Sequence, residues 1–406
     1  MLSYEDALTI ILRETGWPEP LTVGLREAHG YVLAKDVHAD RDFPPFDRSM
    51  VDGFAVCSTD LSTVPAEFQV IEYLPAGRFP KKSIGPGQAV RTMTGAPIPN
   101  GADAVVMIEQ TEALGENDLM LNGSSRVKIL KTLKPNQNIS RQASDVKTGA
   151  VVIAAGTRIG AAEVGVLAAI GCHQVPVYRK PRLAILGTGD EIIEPAAIPN
   201  ATQIRNSNSY QLLAQAAALG LETEYLGIAP DEPEITRTLI ARGLEADVLV
   251  STGGVSMGDR DCAGEAFKLL GVEIFFEKVA VKPGKPTTFG KRGKNLVFGL
   301  PGNPVAALVC FHLFVMSAVR QRMGYRNPLP RFLILPLKTD VAPPGDRPTF
   351  RPARLINEAG VTLIDAQRWH GSGDLTACAG ADGLLFQEAH EALVAGKPAR
   401  FYPFHF

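Results

Sequence analysis

The chain of 406 residues has only five cysteines, Cys57, Cys172, Cys262, Cys310 and Cys378, an odd and scattered set without metal-type pairing. That argues against a disulfide framework and fits reduced thiols in a cytoplasm. An excess of either charge is also absent. Against 43 acidic residues stand 41 basic ones, a net charge of −2, which argues against a nucleic-acid binder driven by bulk electrostatics. The seven histidines show no metal-ligand spacing. There is no nucleophile elbow and no Ser/His/Asp pattern. Long apolar runs are missing too: the longest, residues 305–319, contains His312 and Ser317 and is too short to span a bilayer. The N-terminus carries Glu5 and Asp6 where a signal peptide would be basic and apolar. No internal repeat or low-complexity segment occurs. These absences lead to the expectation of a soluble, cytoplasmic protein with no nucleic-acid or membrane partner.

What is present is ordinary globular composition, 45% apolar and 21% charged, with 39 glycines and 30 prolines that mark many turns and several domain joins. Residues 4–14 read as an amphipathic helix capped by Ser3, and residues 25–33 as a second short helix. From residue 42 to about 152, short alternating segments between Pro/Gly turns indicate a small β-rich domain. Residues 183–186 open a different region, in which strands (223–227, 247–250) alternate with helices (209–218, then one capped by Asp231 with Pro233 in its first turn). That alternation means an α/β parallel sheet with ligand loops at the carboxyl ends of its strands. A helix over 305–322 closes the region, Arg326-Asn327-Pro328-Leu329-Pro330 is the linker, and the remainder is again short strands, a small barrel or sandwich.

The most informative segment is Ser251-Thr252-Gly253-Gly254-Val255-Ser256-Met257-Gly258-Asp259-Arg260-Asp261. A buried strand that runs into paired glycines and hydroxyls leaves backbone N–H groups to cradle an anion. The carboxylates that follow can hold a divalent cation beside it. The alternative is a plain strand-end turn with solvated acids. Gly299-Leu300-Pro301-Gly302-Asn303-Pro304 is a second such strand end, with Asn303 suited to the cap and Pro304 to the first turn of the helix. Gly187-Thr188-Gly189-Asp190-Glu191 lacks the third glycine of a dinucleotide fingerprint, so it suits a polar clamp or metal site, or a solvated acidic turn. Arg205-Asn206-Ser207-Asn208-Ser209 is either a cap or a polar-ligand site. Lys282-Pro283-Gly284-Lys285-Pro286 presents two cations on a stiff turn, suited to one oxyanion, unless the lysines merely decorate a surface loop.

Taken in order, and with Phe46-Asp47-Arg48-Ser49 through Asp52-Gly53-Phe54-Ala55 and Arg91-Thr92-Met93-Thr94-Gly95-Ala96-Pro97, these segments resemble the MoeA family of molybdopterin molybdenumtransferases, related to the gephyrin E domain. The resemblance covers nearly the whole chain. It implies insertion of molybdate into adenylylated molybdopterin, with release of AMP and a requirement for Mg²⁺. It also implies an elongated homodimer of multidomain α/β plus β subunits. Residues 1–46 and 146–178 would form a small α/β linking and dimerisation domain, and 47–145 an inserted β-rich domain. Residues 179–326 would form a three-layer α/β parallel-sheet domain that binds the molybdopterin nucleotide, and 327–406 a C-terminal β-barrel-like domain. The cleft would lie between the α/β domain of one subunit and the insert of the other. Partners would be a molybdopterin adenylyltransferase and the proteins that mature molybdoenzymes.

On this resemblance Gly253, Gly254, Ser256 and Gly258, with Gly302 and Asn303 framed by Pro301 and Pro304, would bind the nucleotide phosphates. Asp190, Asn206, Ser207 and Asn208 would add polar contacts. Asp261 with Asp231 would hold Mg²⁺. Asp52, Thr94 and Glu191 would position metal, water or pterin. Lys282 and Lys285, with Ser372 and a nearby arginine, would receive molybdate. Ser140-Arg141-Gln142-Ala143-Ser144-Asp145 keeps only Asp145 of the family's Gly-Glu-Asp ending. Pro352 stands where the family often has arginine, which leaves Arg351 or Arg354 as the substitute. Ser49-Met50-Val51-Asp52 differs slightly from the commoner Ser-Ala-Met-Asp. The rival readings are a pyrophosphatase acting on a nucleotide-containing cofactor and a scaffold that keeps the fold without catalysis.

Overall fold

A computed structural model describes residues 1–114, 125–254 and 262–404. The chain divides into two compact units, one of residues 1–35, 155–164 and 173–406, the other of residues 36–154 and 165–172. The architecture is multidomain α/β with several separate sheets.

In the first unit the main sheet has six strands in the order Thr223–Ala229, Leu183–Thr188, Val248–Thr252, Asn295–Leu300, Thr288–Arg292, Glu273–Phe276. Four neighbours run parallel, but the last two pairings are antiparallel, so the parallel sheet read from the sequence is mixed. The cause is local. Gly293, at φ +59°, lets a two-residue turn fold Arg292 back onto Asn295 as a hairpin.

Residues of the central strands alternate between two cores, as the two-residue strand period requires. Ile185, Val250 and Phe298 join one core, which holds the helix Asn208–Ala218 through Leu212 and Ala216. Leu186, Leu249 and Val297 join the other, with Ile240 and Phe267 from the helices Pro233–Gly243 and Cys262–Leu269. Packing on both faces explains why these strands read as unbroken apolar runs.

Residues 304–322 form one continuous helical stretch that contains a π-helical segment, Phe311–Val315. At 19 residues it is long and apolar enough to cross a membrane by length and composition, a correction to the shorter run read from the sequence. Most of it is buried in the first core, against the helix Tyr4–Thr15 that Ser3 caps through its Oγ on the Asp6 N–H (3.0 Å). The second short helix expected at residues 25–33 does not form. Gly30 takes φ +79°, and Val32 and Leu33 are pulled into bridges with Arg158 and Val177. Asp231 does not cap the helix that follows it; Glu232 holds the cap position without a side-chain bond.

Five antiparallel strands, Leu333–Pro336, Pro398–Pro403, Gly383–Gln387, Thr349–Glu358 and Val361–Ala366, follow in the same unit. A bridge from Leu337 to Ile364 brings the two ends of this sheet together. Phe350, Phe386 and Tyr402 extend the first core, with Tyr4 stacked edge-on against Phe350 at 5.4 Å.

The second unit contains a six-stranded sheet, mostly antiparallel, with Phe54, Phe68 and Val106 in its core. The altered stretch at 140–145 is anchored here. Arg141 pairs with Asp47, the Gln142 N–H donates to the same carboxylate at 2.8 Å, and Ser140 pairs with Arg48.

Candidate active site

A cleft of about 670 Å³ opens at the carboxyl ends of the strands Leu183–Thr188, Val248–Thr252 and Asn295–Leu300. Gly253 and Gly254 form one side, with φ of +91° and +59°. A β-carbon on Gly253 would lie 2.6 Å from the Thr188 carbonyl, and one on Gly254 2.9 Å from the Thr188 hydroxyl. Only glycine satisfies both the backbone angle and the close approach. Ser256, Gly258 and Asp261 lie outside the described residues.

Gly302, Asn303 and Pro304 form the facing side. Asn208 ties the two loops together: its Nδ2 donates to Thr252 Oγ1 at 2.8 Å and to the Gly302 carbonyl at 2.7 Å. The Thr252 hydroxyl lies 3.2 Å from the Pro301 carbonyl, which it can donate to. Asn206 is buried and also lines the cleft. Its Nδ2 donates to Ser209 Oγ and Tyr225 Oη at 3.0 and 2.9 Å, and its Oδ1 accepts the Ser209 N–H. Ser207 holds the cap position of the helix Asn208–Ala218 with no side-chain cap bond and lines the cleft.

The lysine turn is a buried frame with exposed tips: Pro283 and Gly284 are buried while Lys282 and Lys285 are exposed. The Thr287 hydroxyl donates to the Gly284 carbonyl at 2.7 Å, and a β-carbon on Gly284 would strike Cys310 Sγ at 2.3 Å. Burial pushes the Cys310 thiol up to about 12. The backbone of Lys282 is stitched to the C-terminal sheet through Pro348 and Phe350. Arg347 donates to the Val281 carbonyl at 3.2 Å, which makes it the arginine beside this turn. Arg351 and Arg354, the substitutes considered from the sequence, lie elsewhere: Arg354 bonds to Ala379, and Arg351 lines a different cavity. Pro286 and Gly373 reach the cleft wall, and Asn303 Nδ2 holds Ser372 Oγ at 2.8 Å. The Asp374 carboxylate organises that serine turn by accepting from Thr376 and His370, which lowers its pKa to about 2.

Of the acids, Glu191 lines the cleft. Asp190 accepts the Asp231 N–H on Oδ1 at 2.9 Å, which sets these two residues side by side. Among the described residues no three His, Cys, Asp or Glu side chains cluster as a metal centre. In the other unit, Thr94 donates both its N–H and its hydroxyl to Asp52 Oδ1, each at 2.7 Å. The backbone N–H first, then the hydroxyl, hold Asp52 below its ordinary pKa.

Thr188 stands in a motif the sequence marks but has no role of its own there, and Arg347 stands in none. The first was legible as the hydroxyl between two glycines at a strand end; the second carried no local signal.

Fold and site define an α/β protein with a cleft lined by glycine loops where parallel strands end, beside a turn that carries two lysines. Residues 2–171 match the MoeA N-terminal region (domain I and II), 184–321 a probable molybdopterin binding domain, and 335–404 the MoeA C-terminal region (domain IV). The chain is 36% identical over 377 residues to a molybdopterin molybdenumtransferase of Bacillus subtilis, covering 92% of this chain and 85% of that one. It is 35% identical over 391 residues to the same-named protein of Staphylococcus epidermidis, covering 95% and 91%. A crystal structure of a molybdopterin biosynthesis MoeA protein from Pyrococcus horikoshii matches with TM-score 0.82 and 29% identity over 99% of this chain and 100% of that one. The chain belongs to the MoeA family and is an enzyme of the transferase class.

Proposed function

We propose that this chain acts in molybdenum cofactor biosynthesis: it takes adenylylated molybdopterin and molybdate as substrates, inserts the metal and releases AMP, with Mg²⁺ required. The observation that carries the reading is one cleft in which two glycine loops, joined by Asn208, share their wall with Pro286, at the end of the lysine turn, and with Gly373, next to the serine held by Asn303.

The N–H groups around Gly253, Gly254 and Gly302 bind the nucleotide phosphates, as strand-end and helix-start donors do. Lys282, Lys285 and Ser372, with Arg347 alongside, receive molybdate; neither lysine forms an ion pair among the described residues, so both charges are available to an oxyanion. Asp231 is proposed to hold Mg²⁺, with Asp190 kept beside it by the Asp231 N–H; Mg²⁺ usually takes one or two carboxylates and completes its shell with water and substrate phosphates. Asp261 is proposed as a further ligand. When bound, Mg²⁺ would neutralise charge on the pyrophosphate and the departing AMP. Glu191 and the ionised Asp52, fixed by Thr94, orient water and the pterin.

The reading includes a cytoplasmic homodimer in which the β-rich insert of one copy completes the cleft of the other. Each copy is proposed to have four domains, 1–46 with 146–178, 47–145, 179–326 and 327–406, the third three-layered and the last barrel-like. Upstream stands a molybdopterin adenylyltransferase, downstream the proteins that mature molybdoenzymes.

The test is AMP release from adenylylated molybdopterin with Mg²⁺, with and without molybdate. Release that depends on molybdate supports the transferase reading. Equal release without it would make the protein a pyrophosphatase, and no release at all would favour a scaffold.

A further inference from the structure

The C-terminal sheet carries a second, open cavity of about 280 Å³ that the proposed reaction does not use. Its wall includes Arg351, Arg368 and Trp369, with Asp340, Val341 and Ala366. On the strand Thr349–Glu358, Phe350 belongs to the core shared with the α/β sheet, whereas Ala353 belongs to the separate core of Val341, Ile364 and Leu385. Arg351 shares the face of Ala353, so strand alternation turns it into the C-terminal domain and away from the lysine turn.

Arg351 is a half-buried cation with no ion pair among the described residues. Its Nε is inaccessible and has no acceptor among the described residues. Burial, with no opposing carboxylate, lowers its pKa. Its neighbours in the sheet differ: Arg347 and Arg354 donate to carbonyls and Arg400 pairs with Glu388. Trp369 presents the same deficit, an indole N–H buried without an acceptor. Asp340, the one acid in the wall, spends Oδ1 on the Ala395 N–H at 2.7 Å and makes no ion pair with either arginine among the described residues. Two arginines against one acid leave the cavity net positive. Donors without acceptors, on a desolvated cation, call for an acceptor-only anion; water can accept one N–H but does not neutralise the charge.

We propose that this cavity binds a small inorganic oxyanion of the phosphate or sulfate type between Arg351, Arg368 and the Trp369 N–H, separately from the cleft. The site does not depend on the transferase reading.

The chain has two tryptophans, and Trp17 is 92% exposed, so Trp17→Phe leaves Trp369 as the sole indole reporter. Full-length Trp17→Phe protein is titrated with sodium phosphate at ionic strength held constant with sodium chloride. The expected result is a saturable change in Trp369 emission and a rise in thermal midpoint with phosphate. Adding Arg351→Gln raises the half-saturating concentration of the Trp369 response at least tenfold, whereas adding Lys285→Ala leaves that response intact. Arg351→Lys, which keeps the charge without the fork, serves as the second variant and shows a weakened but saturable response. A response that never saturates, that survives Arg351→Gln, or that disappears with Lys285→Ala would overturn the proposal.

Discussion

Asn303 Nδ2 donates to Ser372 Oγ at 2.8 Å across 69 residues of chain, so the start of the long core helix fixes a serine in the turn that follows the strand Val361–Ala366. The Val305 N–H also donates to the Ser372 carbonyl at 3.0 Å. One side of the cleft thus positions the other. Asn303→Ala is expected to cost less than about 1 kcal/mol of stability, because the bond is exposed. It should raise the molybdate KM several-fold while leaving that for the nucleotide substrate nearly unchanged. Urea denaturation and initial-rate kinetics measure the two effects.

Gly253 has φ +91°, and its missing β-carbon would collide with the Thr188 backbone. Gly253→Ala should destabilise the protein by roughly 1–3 kcal/mol and abolish nucleotide binding by opening the loop. Calorimetric titration with AMP, beside the midpoint in urea, separates the two losses.

Thr94 gives Asp52 two hydrogen bonds that favour its ionised form. Thr94→Val removes the hydroxyl bond and keeps the backbone one. The Asp52 pKa should rise toward the ordinary carboxylate value, and the acid limb of the pH–rate profile should move up with it. Thr94→Ser retains the hydroxyl and should restore the original limb.

Asp247 accepts both Arg179 guanidinium nitrogens at 2.8 Å and the Arg182 N–H at 2.8 Å. Burial alone would raise its pKa, but the Arg179 and Arg182 bonds outweigh it and lower the value. Its folded pKa therefore lies below the unfolded one. The stability it contributes is complete above the unfolded value near 3.9 and is lost as pH falls through the folded value. Asp247→Ala should cost about 2 kcal/mol at neutral pH, reduced from a fully buried pair because Arg179 is partly exposed. The difference from wild type should shrink below pH 4 in acid-titrated urea melts.

The glycine loops, the lysine turn and the Asp52 and Thr94 blocks were legible in the sequence because each has a local signature, a glycine pair, a proline frame or an acid beside glycine. The strand runs of the α/β sheet were legible for the same reason. What was not legible depended on distant partners. Residues 25–33 have helical-looking apolar spacing, yet Val32 and Leu33 bridge to Arg158 and Val177. The edge strand Glu273–Phe276 runs antiparallel, a direction no residue type encodes. Asn206 lines the cleft, but the bond its amide makes to Tyr225 depends on distant chain that no local signal marks. Arg347 reaches the lysine turn only because Phe350 and Pro348 pair with Lys282.

The most direct test of the cleft is AMP release as a function of molybdate concentration, in wild type and Lys285→Ala, at saturating adenylylated molybdopterin and Mg²⁺. Lys285→Ala is expected to need at least tenfold more molybdate for half-maximal release, with the affinity for the nucleotide substrate preserved. An unchanged molybdate dependence in that variant would contradict the assignment of the oxyanion to the lysine turn.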